Sequence, residues 1–110
     1  MTETIEQLMD QLRAEYLAGI PSRLDEMRAA LQAWRSGEPS GTPPLPVLFH
    51  RLSGSAGAHG FGQVTMVCRE MESWLATHPA NGAVEAARLC AALAAIEEAF
   101  SLPPTTAGIH

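Results

Sequence analysis

Apolar side chains recur at intervals of three and four residues in the first third of the chain, the spacing that places them on one face of an α-helix. A first, short amphipathic helix is predicted from Thr4 to Leu17, and Gly19 interrupts it. A second helix begins at Pro21, a residue tolerated in a first helical turn, and ends near Ser36-Gly37. The predicted stripes are Ile5, Leu8, Leu12 and Tyr16 on the first helix, and Leu24, Met27, Leu31 and Trp34 on the second.

The same spacing returns three more times after residues 36–46, a proline- and glycine-rich segment that is expected to be an exposed connection. A third helix is predicted from Pro44 to Ala58, with Thr42 as its N-cap. A fourth follows the break at Gly60-Phe61-Gly62, and a fifth runs from Ala83 to Phe100. The later stripes are Val64, Val67, Met71, Trp74 and Leu75, then Ala86, Leu89, Leu93, Ile96 and Phe100.

The length and composition of the chain place these helices in one all-α domain. The chain has 110 residues, of which 46% are hydrophobic and only 5% aromatic, so strand-forming residues are scarce. Four long helices with short joints predict an antiparallel four-helix bundle, with the additional short N-terminal helix packed as a lid or as an extension of the second helix. We expect one domain over residues 1–101 and a flexible C-terminal tail over residues 102–110.

Charge narrows the classes of partner. All seven basic residues are arginines, and against twelve acidic residues the net charge is −5, which argues against a surface that binds nucleic-acid phosphates. The first residues include acids where a signal peptide would be basic, and no apolar run approaches the roughly 18 to 20 residues that a membrane span needs. We therefore expect a soluble, cytoplasmic protein that binds neither nucleic acid nor membrane.

The two cysteines, Cys68 and Cys90, form no CxxC pair and fall on predicted apolar faces, so both are expected to be buried, reduced thiols. Neither His78 nor His110 lies three or four residues from His50, the spacing of a two-histidine metal site on one helix. No metal site and no cofactor are expected in this chain.

The third helix carries the candidate chemistry. At 100° per residue, its apolar side chains gather within an arc of about 100°, and His50 points away from that arc. Gly54 at about 40°, Gly57 at about −20° and Ser53 at about −60° share the outward side with His50. The predicted core face is Leu45, Leu48, Phe49, Leu52 and Ala56.

Two glycines on the exposed side of one helix need an explanation, since each costs roughly 1 kcal/mol relative to alanine. Close approach of another molecule would explain Gly54 and Gly57, because a partner could come down to the backbone while the imidazole of His50 enters its active site. Neutral imidazole offers one ring nitrogen as a nucleophile near pH 7 while the other holds a proton. The arrangement suits a nucleophile that enters another protein's active site, and imidazole suits phosphoryl transfer, which needs chiefly positioning and charge neutralisation.

The segment 49–57, FHRLSGSAG, continuing to Gly60-Phe61, resembles the signature H-x-L-K-G-S-x-x-x-x-G of histidine phosphotransfer (HPt) domains. His50 falls on the phosphorylated histidine and Gly54 on the glycine that clears space for a receiver domain. Met71-Glu72 is similar to a Leu-Glu pair common on the following helix. The resemblance covers about residues 20 to 100.

This resemblance implies a monomeric phosphoryl carrier rather than an enzyme with an ATP site. Its partners would be the receiver domains of response regulators, with the receiver of a hybrid histidine kinase as one candidate, and Mg²⁺ would belong to the receiver. Ser53 stands where the family often has lysine, and Arg51, about 100° around the helix from His50, is the candidate to replace that cation. Two alternatives remain open: a receiver-binding adaptor that is not phosphorylated, and a structural bundle that self-associates.

The surface around the histidine is less well determined by the sequence. Val47, Ala58 and Phe61 could either cap the end of the bundle or form an apolar rim against which a receiver docks. His59, near 180° from His50, is expected to be structural, packed or bonded to a carbonyl near the helix end.

Overall fold

The structure, a computed structural model, describes residues 4–37, 41, 43–77 and 82–102, and these form five α-helices and no strand. The predicted N-cap Thr42, the turn around His78 and residues 103–110 of the predicted tail lie outside the described residues. The helices are α1 (Ile5–Ala18), α2 (Ile20–Ser36), α3 (Leu45–Ala58), α4 (Gly62–Thr77) and α5 (Ala83–Ser101).

Helices α2 to α5 form a closed ring, because α2 packs against α3 and α5, and α4 packs against the same two helices. Helix α4 runs antiparallel to α3, since Thr65 near its start contacts Ser53 and Glu72 near its end contacts His50. The prediction of an all-α bundle is confirmed. Its core includes every residue of the face predicted on α3, namely Leu45, Leu48, Phe49, Leu52 and Ala56.

The turn from α3 to α4 explains why α3 stops where it does. Gly60 adopts φ 87°, a left-handed conformation that glycine enters without steric cost. The amide of Gly60 donates to the carbonyl of Gly57, and the amide of Phe61 donates to that of Ala56 at 2.8 Å. This pair of bonds is a Schellman motif, with Phe61 and Ala56 both buried beneath it.

Beneath this turn, His59 has a structural role, as predicted. Its ring stacks on Tyr16 at a centroid distance of 4.0 Å and an interplanar angle of 5°. Its Nδ1 donates to the carbonyl of Ser55 at 2.8 Å. Because the Tyr16 hydroxyl also shares a 2.8 Å hydrogen bond with the Ser55 hydroxyl, the end of α1 is fixed to the end of α3.

Helix α1 departs from the expectation drawn from its apolar stripe. Tyr16 is its one buried residue, whereas Ile5, Leu8 and Leu12 keep 79%, 48% and 45% of their surface exposed. Only Gly19, itself in a right-handed helical conformation, separates α1 from α2, so α1 extends α2 and does not fold back as a lid. The stripe was predicted from correct helical spacing, but the spacing alone could not show that none of the described helices covers it.

The prediction that both cysteines are buried is wrong for one of them. Cys68 on α4 is fully buried, whereas Cys90 on α5 is exposed. Position 90 follows the buried Leu89 by one residue, about 100° around the helix, which carries it off the core face. Burial, with a smaller contribution from the nearby Glu72 carboxylate, raises the pKa of the Cys68 thiol to about 12.

No helix among the described residues is long and apolar enough to cross a membrane.

The buried position of Cys68 and the exposed position of Cys90 predict different thiol reactivity. Because the thiolate is the reacting species, iodoacetamide at pH 8 should alkylate Cys90 in the folded protein and leave Cys68 unmodified until the chain is unfolded. Mass spectrometry of tryptic peptides with and without denaturant measures this. The control is a Cys90→Ser variant, which should take up no label while folded; rapid labelling of that variant would contradict the buried position of Cys68.

Candidate functional site

His50 occupies the middle of the outward face of α3, and 77% of its side chain is exposed to solvent. Its neighbours Phe49 and Leu52 are buried, so the packing of α3 itself fixes the direction in which the histidine projects. The outward orientation predicted for His50 is confirmed.

One contact from the next helix orients the ring. Nδ1 of His50 lies 3.3 Å from Oε1 of Glu72 on α4. An ionised carboxylate only accepts hydrogen bonds, so the proton of the neutral ring is favoured on Nδ1, and the lone pair of Nε2 is left facing solvent. Glu72 keeps only 31% of its side chain exposed, which limits the freedom of its carboxylate. This arrangement leaves Nε2 as the ring nitrogen that could act as a nucleophile.

Ser53 does not share the outward surface, and the prediction that it does is corrected here. It is 6% exposed. Its hydroxyl donates to the carbonyl of His50 at 2.8 Å, and its own carbonyl accepts from the hydroxyl of Thr65 at 2.8 Å. The physical reason is that its side of α3, predicted to be open, faces α4. The Ser53 side chain is therefore turned into the α3–α4 contact and away from the imidazole.

The two glycines of α3 are exposed but differ in what surrounds them. A Cβ atom on Gly54 would meet nothing within 4 Å, so this position leaves open space beside His50, as predicted. A Cβ atom on Gly57 would lie 3.1 Å from Oγ1 of Thr65. Gly57 therefore allows α4 to pack closely against α3, and the interpretation that both glycines clear space for a partner holds only for Gly54.

Two exposed arginines, Arg51 on α3 and Arg69 on α4, belong to the helices that form the surroundings of His50. Arg51 lines a half-open cavity of about 260 Å³ between α2 and α3. Arg69 lies on α4, and its side chain makes no hydrogen bond or ion pair with any other described residue. Sequence reasoning considered Arg51 and not Arg69, because a wheel drawn for one helix does not include residues of its neighbour. The cavity is lined by Arg23, Glu26, Met27, Leu48, Arg51 and Leu52.

The three apolar residues considered as a docking rim separate into two roles. Val47 is 38% exposed and Ala58 is exposed, so both remain available to a partner. Phe61 is 4% exposed and packs edge-on against Phe100 at a centroid distance of 5.1 Å. Phe61 therefore caps the end of the bundle and is not part of the rim.

The described residues contain no group of three or more His, Cys, Asp or Glu side chains that could hold a metal ion.

Comparison with known proteins gives one match. A model of the Hpt domain family matches residues 11–101, which span all of α2 to α5 and most of α1. No curated protein and no solved structure gives a match to this chain.

The different surroundings of the two glycines predict different effects of adding a methyl group. Gly54→Ala should raise the free energy of unfolding by about 1 kcal/mol, since alanine is the better helix former and has room. Gly57→Ala should gain less or lose stability, because the Thr65 hydroxyl is fixed by its bond to Ser53 and cannot move away freely. Urea unfolding of both variants measures this, and an equal gain in both would contradict the close contact at Gly57.

Proposed function

The chain belongs to the Hpt domain family, and from that premise we propose that it carries a phosphoryl group on His50 between aspartates of receiver domains. Hpt domains serve generally in phosphorelays as phosphoryl carriers. The observation that supports His50 as the acceptor is its contact with Glu72, which favours the proton on Nδ1 and leaves Nε2 exposed. The open backbone at Gly54 gives a receiver access to that nitrogen.

In the proposed step, the lone pair of Nε2 attacks the phosphorus of a receiver's aspartyl phosphate. The N–P bond forms as the O–P bond breaks, and the aspartate leaves as a carboxylate with the bonding electrons. The ring of His50 then carries a positive charge, which its Nδ1–H shares with the carboxylate of Glu72. No proton is transferred, so the reverse step regenerates the neutral ring, and both directions are open.

The remaining parts of the reaction would come from the partner. We assign the Mg²⁺ ion to the receiver, where it would neutralise the aspartyl phosphate during in-line transfer. The sequence contains no glycine-rich phosphate loop and no kinase motif, so the chain would act as a carrier and not as an ATP-dependent enzyme. It would work as a cytoplasmic monomer, with the receivers of response regulators, including one on a hybrid histidine kinase, as partners.

On the side of α3 next to Gly54, Val47 and Ala58 would meet the receiver. Both side chains are small and rigid, so little conformational entropy is lost when a partner covers them. Arg51 is exposed, and about 100° around α3 from His50 its guanidinium would suit contact with an acidic partner.

The primary test is transfer from a panel of phosphorylated receivers. Wild-type protein should acquire an acid-labile, base-stable phosphoryl label, and His50→Gln should acquire none, because its amide cannot act as the nucleophile. His78→Gln serves as the matched histidine control and should behave as wild type. If His50→Gln loses the label but still binds receivers and supports signalling, the chain is the adaptor instead; label on another residue would contradict the proposal.

A second prediction concerns the role of Glu72. Glu72→Ala should slow transfer by about tenfold, the effect expected from loss of one exposed charge-assisted hydrogen bond. Glu72→Gln should slow transfer less, since its amide oxygen can still accept from Nδ1. Rapid-quench kinetics with one receiver measure both rates, and unchanged transfer in Glu72→Ala would show that the contact does not orient the nucleophile.

A further inference from the structure

The phosphoryl group proposed for His50 creates an electrostatic problem. A phosphoryl group on Nε2 carries up to two negative charges, and the Glu72 carboxylate that holds Nδ1 lies only one ring away. The whole chain also has a net charge of −5. The single positive charge of the phosphorylated ring offsets only part of these negative charges, so a further cation nearby would stabilise the phosphorylated state.

On the side of α3 that faces α4, position 53 is close to His50 but provides no cation. Ser53 is uncharged, and its hydroxyl bonds to the backbone of His50 inside the helix contact.

We propose that Arg69 of α4 neutralises the phosphoryl group on His50, an inference that rests on the proposed function. Arg69 lies four residues after Thr65 and three before Glu72, so the three residues share one side of α4. Thr65 contacts Ser53 and Glu72 contacts His50, so these two contacts place Arg69 between the levels of Ser53 and His50 along α3.

The direction of Arg69 also suits a group at the outer edge of the imidazole. Around α4, Arg69 is displaced by about 60° from Glu72, away from the buried side on which Cys68 and Met71 lie. Glu72 contacts Nδ1 of the ring. The exposed Arg69 side chain leaves α4 on the more solvent-facing side of Glu72, from which its greater length would let it reach a group on Nε2.

Arg69 is available for this role. It is exposed and has no hydrogen bond or ion pair with another described residue, so it loses no existing partner on turning toward a phosphoryl group. Guanidinium offers a planar pair of donors that matches phosphate oxygens. Arg88, by comparison, is 3.6 Å from Glu70 and packs over Trp74.

Arg51 is the competing candidate, and the structure places it less favourably. It follows His50 directly, so its side chain leaves α3 about 100° away, on the side of α2. There it lines the cavity that also contains Glu26 and Arg23, and the Glu26 carboxylate is a nearby competing anion.

The test uses the full chain phosphorylated chemically with potassium phosphoramidate, so that no receiver is needed. The imidazole nitrogen attacks phosphorus and ammonia leaves, and ³¹P NMR then follows ionisation of the phosphoryl group with pH. In the Arg69→Gln variant, the pH midpoint for the second ionisation of the phosphoryl group should rise by about 0.5 pH units. The reason is that a nearby cation favours the dianion, and this variant removes that cation. Arg69→Lys should keep most of the wild-type value, and the matched control Arg51→Gln should remain close to wild type.

The same variants should also differ in the rate of phosphoryl transfer to a receiver. Transfer from phosphorylated Arg69→Gln should slow by up to about fivefold, the range of one exposed ion pair. Thermal unfolding should be unchanged, because Arg69 has no structural partner to lose. If His50 is never phosphorylated, the proposed function fails and this inference fails with it. If His50 is phosphorylated normally but Arg69→Gln titrates as wild type, or Arg51→Gln shows the shift, only the assignment of Arg69 is overturned.

Discussion

The antiparallel contact between α3 and α4 determines what the histidine can do. It places the Glu72 carboxylate 3.3 Å from Nδ1 of His50, and the same contact buries Ser53 beneath Thr65. A histidine on an isolated helix would rotate freely and exchange its proton between both nitrogens. Held from one side by a carboxylate and facing open backbone at Gly54 on the other, it offers one defined nitrogen to an incoming molecule.

Features that depend on a single helix could be predicted from the sequence. The apolar spacing of α3 identified its core face, the outward direction of His50 and the structural position of His59, since each follows from 100° per residue. Gly60 also located a helix end, because its left-handed conformation suits glycine. Gly19 marked the boundary between α1 and α2, although its right-handed conformation does not require glycine.

Features that depend on the register between helices could not be predicted. On a wheel, Ser53 and Gly57 looked open to a partner, but both lie against α4. The contact of Glu72 with His50 joins residues 22 positions apart. The apolar stripe of α1 was visible in the sequence, while the absence of a described helix over Leu8 and Leu12 was not. A wheel gives the direction of each side chain but not what lies in that direction.

The most direct test of this account is the position of phosphorus on the His50 ring. ¹⁵N NMR of the phosphorylated protein, labelled with ¹⁵N-histidine, distinguishes the two ring nitrogens through their coupling to ³¹P. The account predicts that phosphorus is bonded to Nε2 and that Nδ1 keeps its proton beside Glu72. Phosphorus bonded to Nδ1 would contradict it, because that nitrogen could not then donate to the carboxylate that is argued to orient the ring.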